Sequence, residues 1–138
     1  MARPPVAIGA GPRQQSLIVS LLCGAALTTF PPSNRQKLRM PQKGQVTGIT
    51  LNVGAKGGTH STSTLDVQAG GASLLTALID VAGLTAGTPV DKEGAALSAA
   101  AASVAKDAEI DLIWAQSGGT SPTFQDATVQ IDYIPLGD

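Results

Sequence analysis

Cysteine, histidine, aromatic side chains and charge are all scarce in this 138-residue chain, which has one Cys, one His, one Trp, one Tyr, two Phe and only 14% charged residues. A single Cys23 forbids an intrachain disulfide, so an oxidising compartment is not implied, and the thiol is expected to pack as a small apolar group. His60 is the lone imidazole and sits in a Gly/Thr/Ser stretch, so no Cys/His pair suggests a nucleophile. With few aromatics to stack bases and dispersed cations, nucleic-acid binding is not expected.

Also missing is a long apolar run. Residues 16–33 read SLIVSLLCGAALTTFPPS, whose apolar core extends only from Leu17 to Leu22, whereas a membrane helix needs about 20 apolar residues. As a signal peptide the run is short, and Pro4, Pro5 and Pro12 break up what precedes it. Leu22 occupies the place before Cys23 where bacterial lipidation wants a small residue. The run therefore reads as the first β segment of the domain, closed by Pro31 and Pro32, with no membrane partner. Whether it pairs within its own domain or with a neighbouring subunit is open.

Acids are absent from the first third. Residues 1–45 carry Arg3, Arg13, Arg35, Lys37, Arg39 and Lys43 without one carboxylate, and residues 46–138 carry three lysines against ten acids. Opposite potentials steer and register interfaces, so the basic segment is expected to lie on an acidic neighbour. The weakly charged Ser/Thr/Gly/Ala/Gln surface points the same way, to a subunit covered by other subunits.

What the chain has in quantity is strand patterning. Residues 46–53, VTGITLNV, alternate apolar Ile49, Leu51 and Val53 with Thr50 and Asn52, and GAKGG is expected to stop this strand. STSTLDVQ (61–68) alternates again, and Gly70-Gly71 makes a turn into a return strand SLLTALIDV (73–81). EIDLIWAQ (109–116) puts Ile110, Leu112 and Trp114 on one face; ATVQIDYI (127–134) does so with Val129, Ile131 and Tyr133. Ser117-Gly118-Gly119 and Pro122 are expected between these two strands. Residues 94–109, GAALSAAAASVAKDAE, fit a helix by alanine propensity, but Leu97 and Val104 give a weak stripe, so irregular or strand structure competes with helix over 94–106. Seven or eight short strands with Gly-rich turns predict an all-β fold, an antiparallel jelly-roll-type β-sandwich over residues 16–138. Residues 1–15, rich in Pro and Gly, predict an extended arm.

The series RQKLRMPQKGQVTGITLNVGAKGG, STSTLDVQAGGASLLTA and SVAKDAEIDLIWAQSGG with QDATVQIDYIP resembles a recurring β-sandwich of tailed-bacteriophage structural proteins. In that family a strand ending in an aromatic or basic residue and proline leads into G-x-(V/I)-x-G, then an Asp-Val hairpin, a Gly-Asp turn and two closing strands. Residues 35–135 carry the likeness through Arg39, Pro41, Gly44, Val46, Gly48, Asp66, Val67, Gly71, Asp107, Leu112 and Gly118. Gly70-Gly71 stands where the family has Asn-Gly, and Lys106-Asp107 where it has Gly-Asp.

The resemblance implies a non-enzymatic virion protein without cofactor. It would be a capsid decoration (cement) protein on the outer shell, bound to the major capsid protein and to copies of itself as a homotrimer. The capsid or subunit interface is expected at Arg3, Pro4, Pro5, Arg13, Arg35, Lys37, Arg39 and Lys43. Two alternatives accompany it. One is a head or tail fibre module whose distal loops, Gly54–Thr64 or Ser117–Thr123, bind a host glycan; the other is an exported carbohydrate-binding protein with an uncleaved N-terminus, for which native material beginning near Ala25 or Ala26 would speak.

Candidate chemistry is sparse. Asp107, Glu109 and Asp111 would share the solvent face of one strand, and ligands strung along a straight strand splay too far to close a calcium shell. A solvated face or an intersubunit ion pair is expected there, with no metal. Asp126 and Asp132 would need a cleft and a perturbed pKa to work as acid and base. Gly54, Gly57 and Gly58 match a phosphate loop poorly, because Lys56 lies among them and no helix follows. Trp114 and Tyr133 continue apolar faces and are expected in the core.

Overall fold

The computed structural model describes residues 14–21, 28–29 and 33–137. Along the chain the strands are β1 (Gln15–Leu21), β2 (Thr28–Thr29), β3 (Ser33–Arg39), β4 (Gly44–Thr59), β5 (Thr62–Ala69), β6 (Ala72–Ser73), β7 (Ile79–Asp80), β8 (Val90–Glu93), β9 (Glu109–Ser117) and β10 (Thr120–Pro135). All pairings are antiparallel.

Strands β4 and β5 are separated only by His60-Ser61, and β9 and β10 only by Gly118-Gly119. β4 pairs with β10 from Gly44↔Pro135 to Thr59↔Thr120, and β5 carries the same pairing onward with β9 from Thr62↔Ser117 to Ala69↔Ile110. The four strands thus make one ribbon bent double. β1 and β2 run along β10, and β3 runs along β9, as a third strand of that ribbon. The first sheet has the order β1-β10-β4-β8 with β2 also on β10; the second is β3-β9-β5-β6 with β7 also on β5. This is the all-β two-sheet sandwich expected from the alternation, and β1 settles within its own chain, on β10.

Glycine makes the bend possible. Gly58 (φ +69°) and Gly119 (φ +75°) adopt a conformation that L side chains rarely take, and a Cβ would lie 2.0 Å from the Ser121 carbonyl oxygen or 2.2 Å from that of Thr59. The GAKGG segment therefore does not stop β4; it carries the strand to the corner. Pro122, expected between strands, lies inside β10, within the Thr120/Thr123 register shift against β4. A residue without an N–H is tolerated where the ladder is interrupted.

Inward-facing positions of the bent ribbon form the core. β4 contributes Val46, Ile49, Leu51 and Val53, and β10 contributes Ala127, Val129, Ile131 and Tyr133; facing them are Leu65 and Val67 of β5 and Ile110, Leu112 and Trp114 of β9. Each large apolar side chain so buried stabilises the fold by about 1.5–3 kcal/mol.

The segment from Ser73 to Val81 departs from the expected return strand. Gly70-Gly71 does form the turn (φ 59° and 89°), but pairing lasts only for Ala72–Ser73 and resumes at Ile79–Asp80. Between them Leu74 and Leu75 are buried by an irregular path, with Leu74 N–H donating to Val67 O (2.8 Å) and Ser98 N–H to Leu74 O (2.9 Å). The apolar residues are there to plug the sandwich, not to alternate. Residues 94–106 contain no α-helix; two 3₁₀ turns, Gly94–Ala96 and Ala99–Ala102, occupy the segment, and the Ser98 hydroxyl caps the second by accepting from Ala100 N–H (3.2 Å). Val104 N–H and O bond Gly44, fixing this loop over the end of the sandwich.

Candidate functional site

Arg3, Pro4, Pro5 and Arg13 lie outside the described residues. Arg35, Lys37 and Arg39 occupy alternate positions of β3, opposite Ile113, Asp111 and Glu109 of β9. Lys37 Nζ donates to Glu109 Oε1 at 2.8 Å, and this hydrogen bond holds the Glu109 carboxyl below its usual range. Lys37 thus has an acidic neighbour on its own chain, and both side chains of the pair are half exposed. Asp111 is buried, not solvated, and Asp107 stands outside β9 in a turn with φ 65°, so the three acids do not line one exposed face. No group of three metal-ligating side chains occurs among the described residues. The period-2 spacing of Arg35, Lys37 and Arg39, with Glu109 and Asp111 at the same period, is the pattern in the sequence that would have pointed to this strand pair. Lys43 is exposed and, with Pro41, Gln42, Lys106 and Gly137, lines an open hollow of about 330 Å³.

The outer face of the first sheet is polar and acidic. Cross-strand register aligns Ser16, Asp132, Gly48 and Glu93 in one row and Ile18, Gln130, Thr50 and Asp91 in the next. Ser16 Oγ and Gln130 Nε2 donate to Asp132 Oδ1 (2.6 and 2.8 Å), and Thr50 Oγ1 donates to Asp91 Oδ1 (2.7 Å). Gly48 leaves the gap between carboxylates open: a Cβ there would stand 3.5 Å from Asp132 Oδ2 and 3.5 Å from Glu93 Cγ. These rows hold no cation; Lys92 opposes the core residue Ile49 and so belongs to the other face. Asp126 and Asp132 are six positions apart on β10, about 20 Å along a strand, and make no acid/base pair.

Other polar groups tie strands together. His60 Nε2 lies 3.1 Å from the Thr123 carbonyl and Nδ1 2.9 Å from Ser63 Oγ. Only an N–H can satisfy a carbonyl, so Nε2 carries the proton and Nδ1 accepts from Ser63 in the neutral ring. Lys56 Nζ donates to the carbonyls of Val81 (2.9 Å), Ala82 (2.8 Å) and Leu84 (2.8 Å); burial lowers its pKa, with Asp80 opposing the shift. Lys56 thus anchors the 81–84 loop, and the phosphate-loop likeness ends there. Asp66 accepts from Ser73 Oγ (2.5 Å) and Gln68 Nε2 (2.9 Å).

Trp114 and Tyr133 are buried, with Trp114 Nε1 donating to Gln36 Oε1 (3.1 Å) and Tyr133 OH to Gln15 Oε1 (3.1 Å). The two segments expected to be distal glycan-binding loops are instead the paired corner of the ribbon, in strand everywhere except His60-Ser61 and Gly118-Gly119.

No protein-family model matches the chain, and no curated protein is similar to it in sequence. Among solved structures the chain is similar to a crystal structure of FLHE, with a TM-score of 0.51 and 14% identity, over 90% of this chain and 98% of that one. At that identity the likeness concerns the fold alone, a two-sheet antiparallel β-sandwich.

Proposed function

We propose that the chain is a non-enzymatic virion structural protein, a capsid decoration protein that lies on the outer shell against the major capsid protein and copies of itself. The observation that carries this reading is the use of its reactive side chains. His60 spends both ring nitrogens on Ser63 and Thr123, Lys56 spends its ammonium on three backbone carbonyls, and Glu109 is held by Lys37. Groups suited to chemistry serve as ties in a bent ribbon, which suits a part that bears load.

A decoration protein acts by covering joints with broad surface, and many weak contacts repeated by symmetry then add up. The outer face of the first sheet offers such a surface, with Asp91, Glu93 and Asp132 as its charge. Arg3 and Arg13, in the acid-free N-terminal third of the sequence, are the cations proposed to meet an acidic neighbour. Particles of the phage that encodes the chain test this. The protein should be present at copy numbers that scale with the major capsid protein, and an Arg3→Glu/Arg13→Glu variant should lose occupancy on capsids lacking it. A handful of copies per particle would indicate a fibre instead, and absence from particles would refute a virion role.

A further inference from the structure

Among the described residues the sandwich has several rim strands, and all but one are short or charged, which guards against pairing with another chain. β8 is four residues long and three of them are charged; β6 and β7 have two residues each; β3 carries Arg35, Lys37 and Arg39. Short length and charge are the usual means of protecting an open edge. β1 has neither. Its seven residues, QSLIVSL, include no charge, proline or glycine, and it pairs with β10 on one side only among the described residues. Leu17 packs against the core, while Ile18 is 61% exposed, the most exposed of the large hydrophobic residues described.

We infer that a second copy of this chain adds its β1 antiparallel to this β1, about a two-fold axis at Ile18, so that the first sheet continues from one copy into the other. The sequence of the strand favours this occupant over an unrelated one. Read outward from Ile18, the order is Leu17 and Val19, then Ser16 and Ser20: apolar flanked by apolar, then polar flanked by polar. A two-fold interface must be self-complementary, and the central five residues of this strand, Ser16 to Ser20, are. Antiparallel pairing centred on Ile18 sets Ile18 opposite Ile18, Leu17 opposite Val19, and Ser16 opposite Ser20. Like meets like at these three positions, Gln15 meets Leu21 at the strand ends, and no charge meets its own image. No charged residue occurs between Arg13 and Arg35, so the neighbouring sequence adds no repulsion. The association joins two copies, where the phage resemblance implies three, and it does not depend on a capsid.

The test uses the full chain in analytical ultracentrifugation over a concentration series. The wild-type chain should show a monomer–dimer equilibrium. Ile18→Lys should raise the dissociation constant by about a hundredfold or more, since burial of two isoleucines is replaced by like charges set opposite each other. Its circular dichroism should stay unchanged, because Ile18 faces outward, and its melting should match the wild type at concentrations where the wild type is monomeric. In a Cys23→Ser background, Ile18→Cys should form a disulfide-linked dimer under mild oxidation, because directly opposed positions approach closely enough. A chain that is monomeric at every concentration, a trimer, or a dimer indifferent to Ile18→Lys would overturn the inference. So would a monomer whose outward β1 amides resist hydrogen exchange, which would assign the edge to another segment of the same chain.

Discussion

Trp114 of β9 and Phe124 of β10 stack across the two sheets, with ring centroids 5.8 Å apart and planes 10° from parallel. Both are buried, close to the corner where the ribbon passes from one sheet to the other. Trp114→Ala should cost about 3–5 kcal/mol, as large aromatic truncations in cores do. A double-mutant cycle with Phe124→Ala should leave a coupling of about 1 kcal/mol. Urea denaturation of the three variants measures both; zero coupling would mean that the rings are independent.

The glycines divide into those that make the corner and those that only turn. Gly58→Ala places a methyl group against the Ser121 carbonyl and forces a positive φ on alanine, whereas Gly71, also at positive φ, has open space around it. Gly71→Ala should cost about 1 kcal/mol, and Gly58→Ala at least twice as much, because backbone must move. Thermal melts of the two variants side by side would show the order; equal losses would mean that the corner relaxes freely.

Lys56 holds three carbonyls of one loop. In Lys56→Met those carbonyls lose their donor while the apolar stem is kept. A stability loss of about 2 kcal/mol is expected, in the range for hydrogen bonds to charged groups. Amide hydrogen exchange should quicken first around residues 81–89. A variant as stable and as protected as the wild type would show that water replaces the ammonium without cost.

The Lys37–Glu109 pair predicts a pH dependence with a definite sign. Glu109 has its folded-state pKa lowered, chiefly by the hydrogen bond from Lys37. Its contribution to stability is therefore fully present above the ordinary glutamate pKa and disappears as pH falls through the lowered folded-state value. Both side chains are half exposed, so the contribution is small and screened by salt. The difference in denaturation midpoint between wild type and Lys37→Met should shrink on acidification from neutral pH and in high salt. A difference that grows on acidification would contradict the assignment.

Alternation made the four ribbon strands legible, because each has one face on the core: Ile49, Leu51 and Val53, or Ile110, Leu112 and Trp114, recur at every second residue. β3 is harder to read, since an edge strand with Lys37 and Arg39 exposed needs little apolar patterning and looks like a basic linker. β8, VDKE, is hidden for the same reason. Ser73–Val81 erred the other way. Its leucines are buried by an irregular path, and burial without period imitates a strand. The glycines at 54–58 looked like punctuation because sequence does not distinguish a stop from a bend. The Lys37–Glu109 contact is not legible in the sequence, because the two residues are far apart along the chain and meet only through strand pairing.

β10 lies between β1 and β4 in the first sheet, yet it is made after every strand it joins. On the ribosome β4 can pair with β8, but β1 and the other edge of β4 must wait, with their ladder groups unmatched, until the strand that unites them emerges. Folding is therefore closed by a late central stave. The protein should be most exposed to chaperones and proteases in the interval just before that segment is released, and slowing synthesis before residue 120 should lengthen the danger.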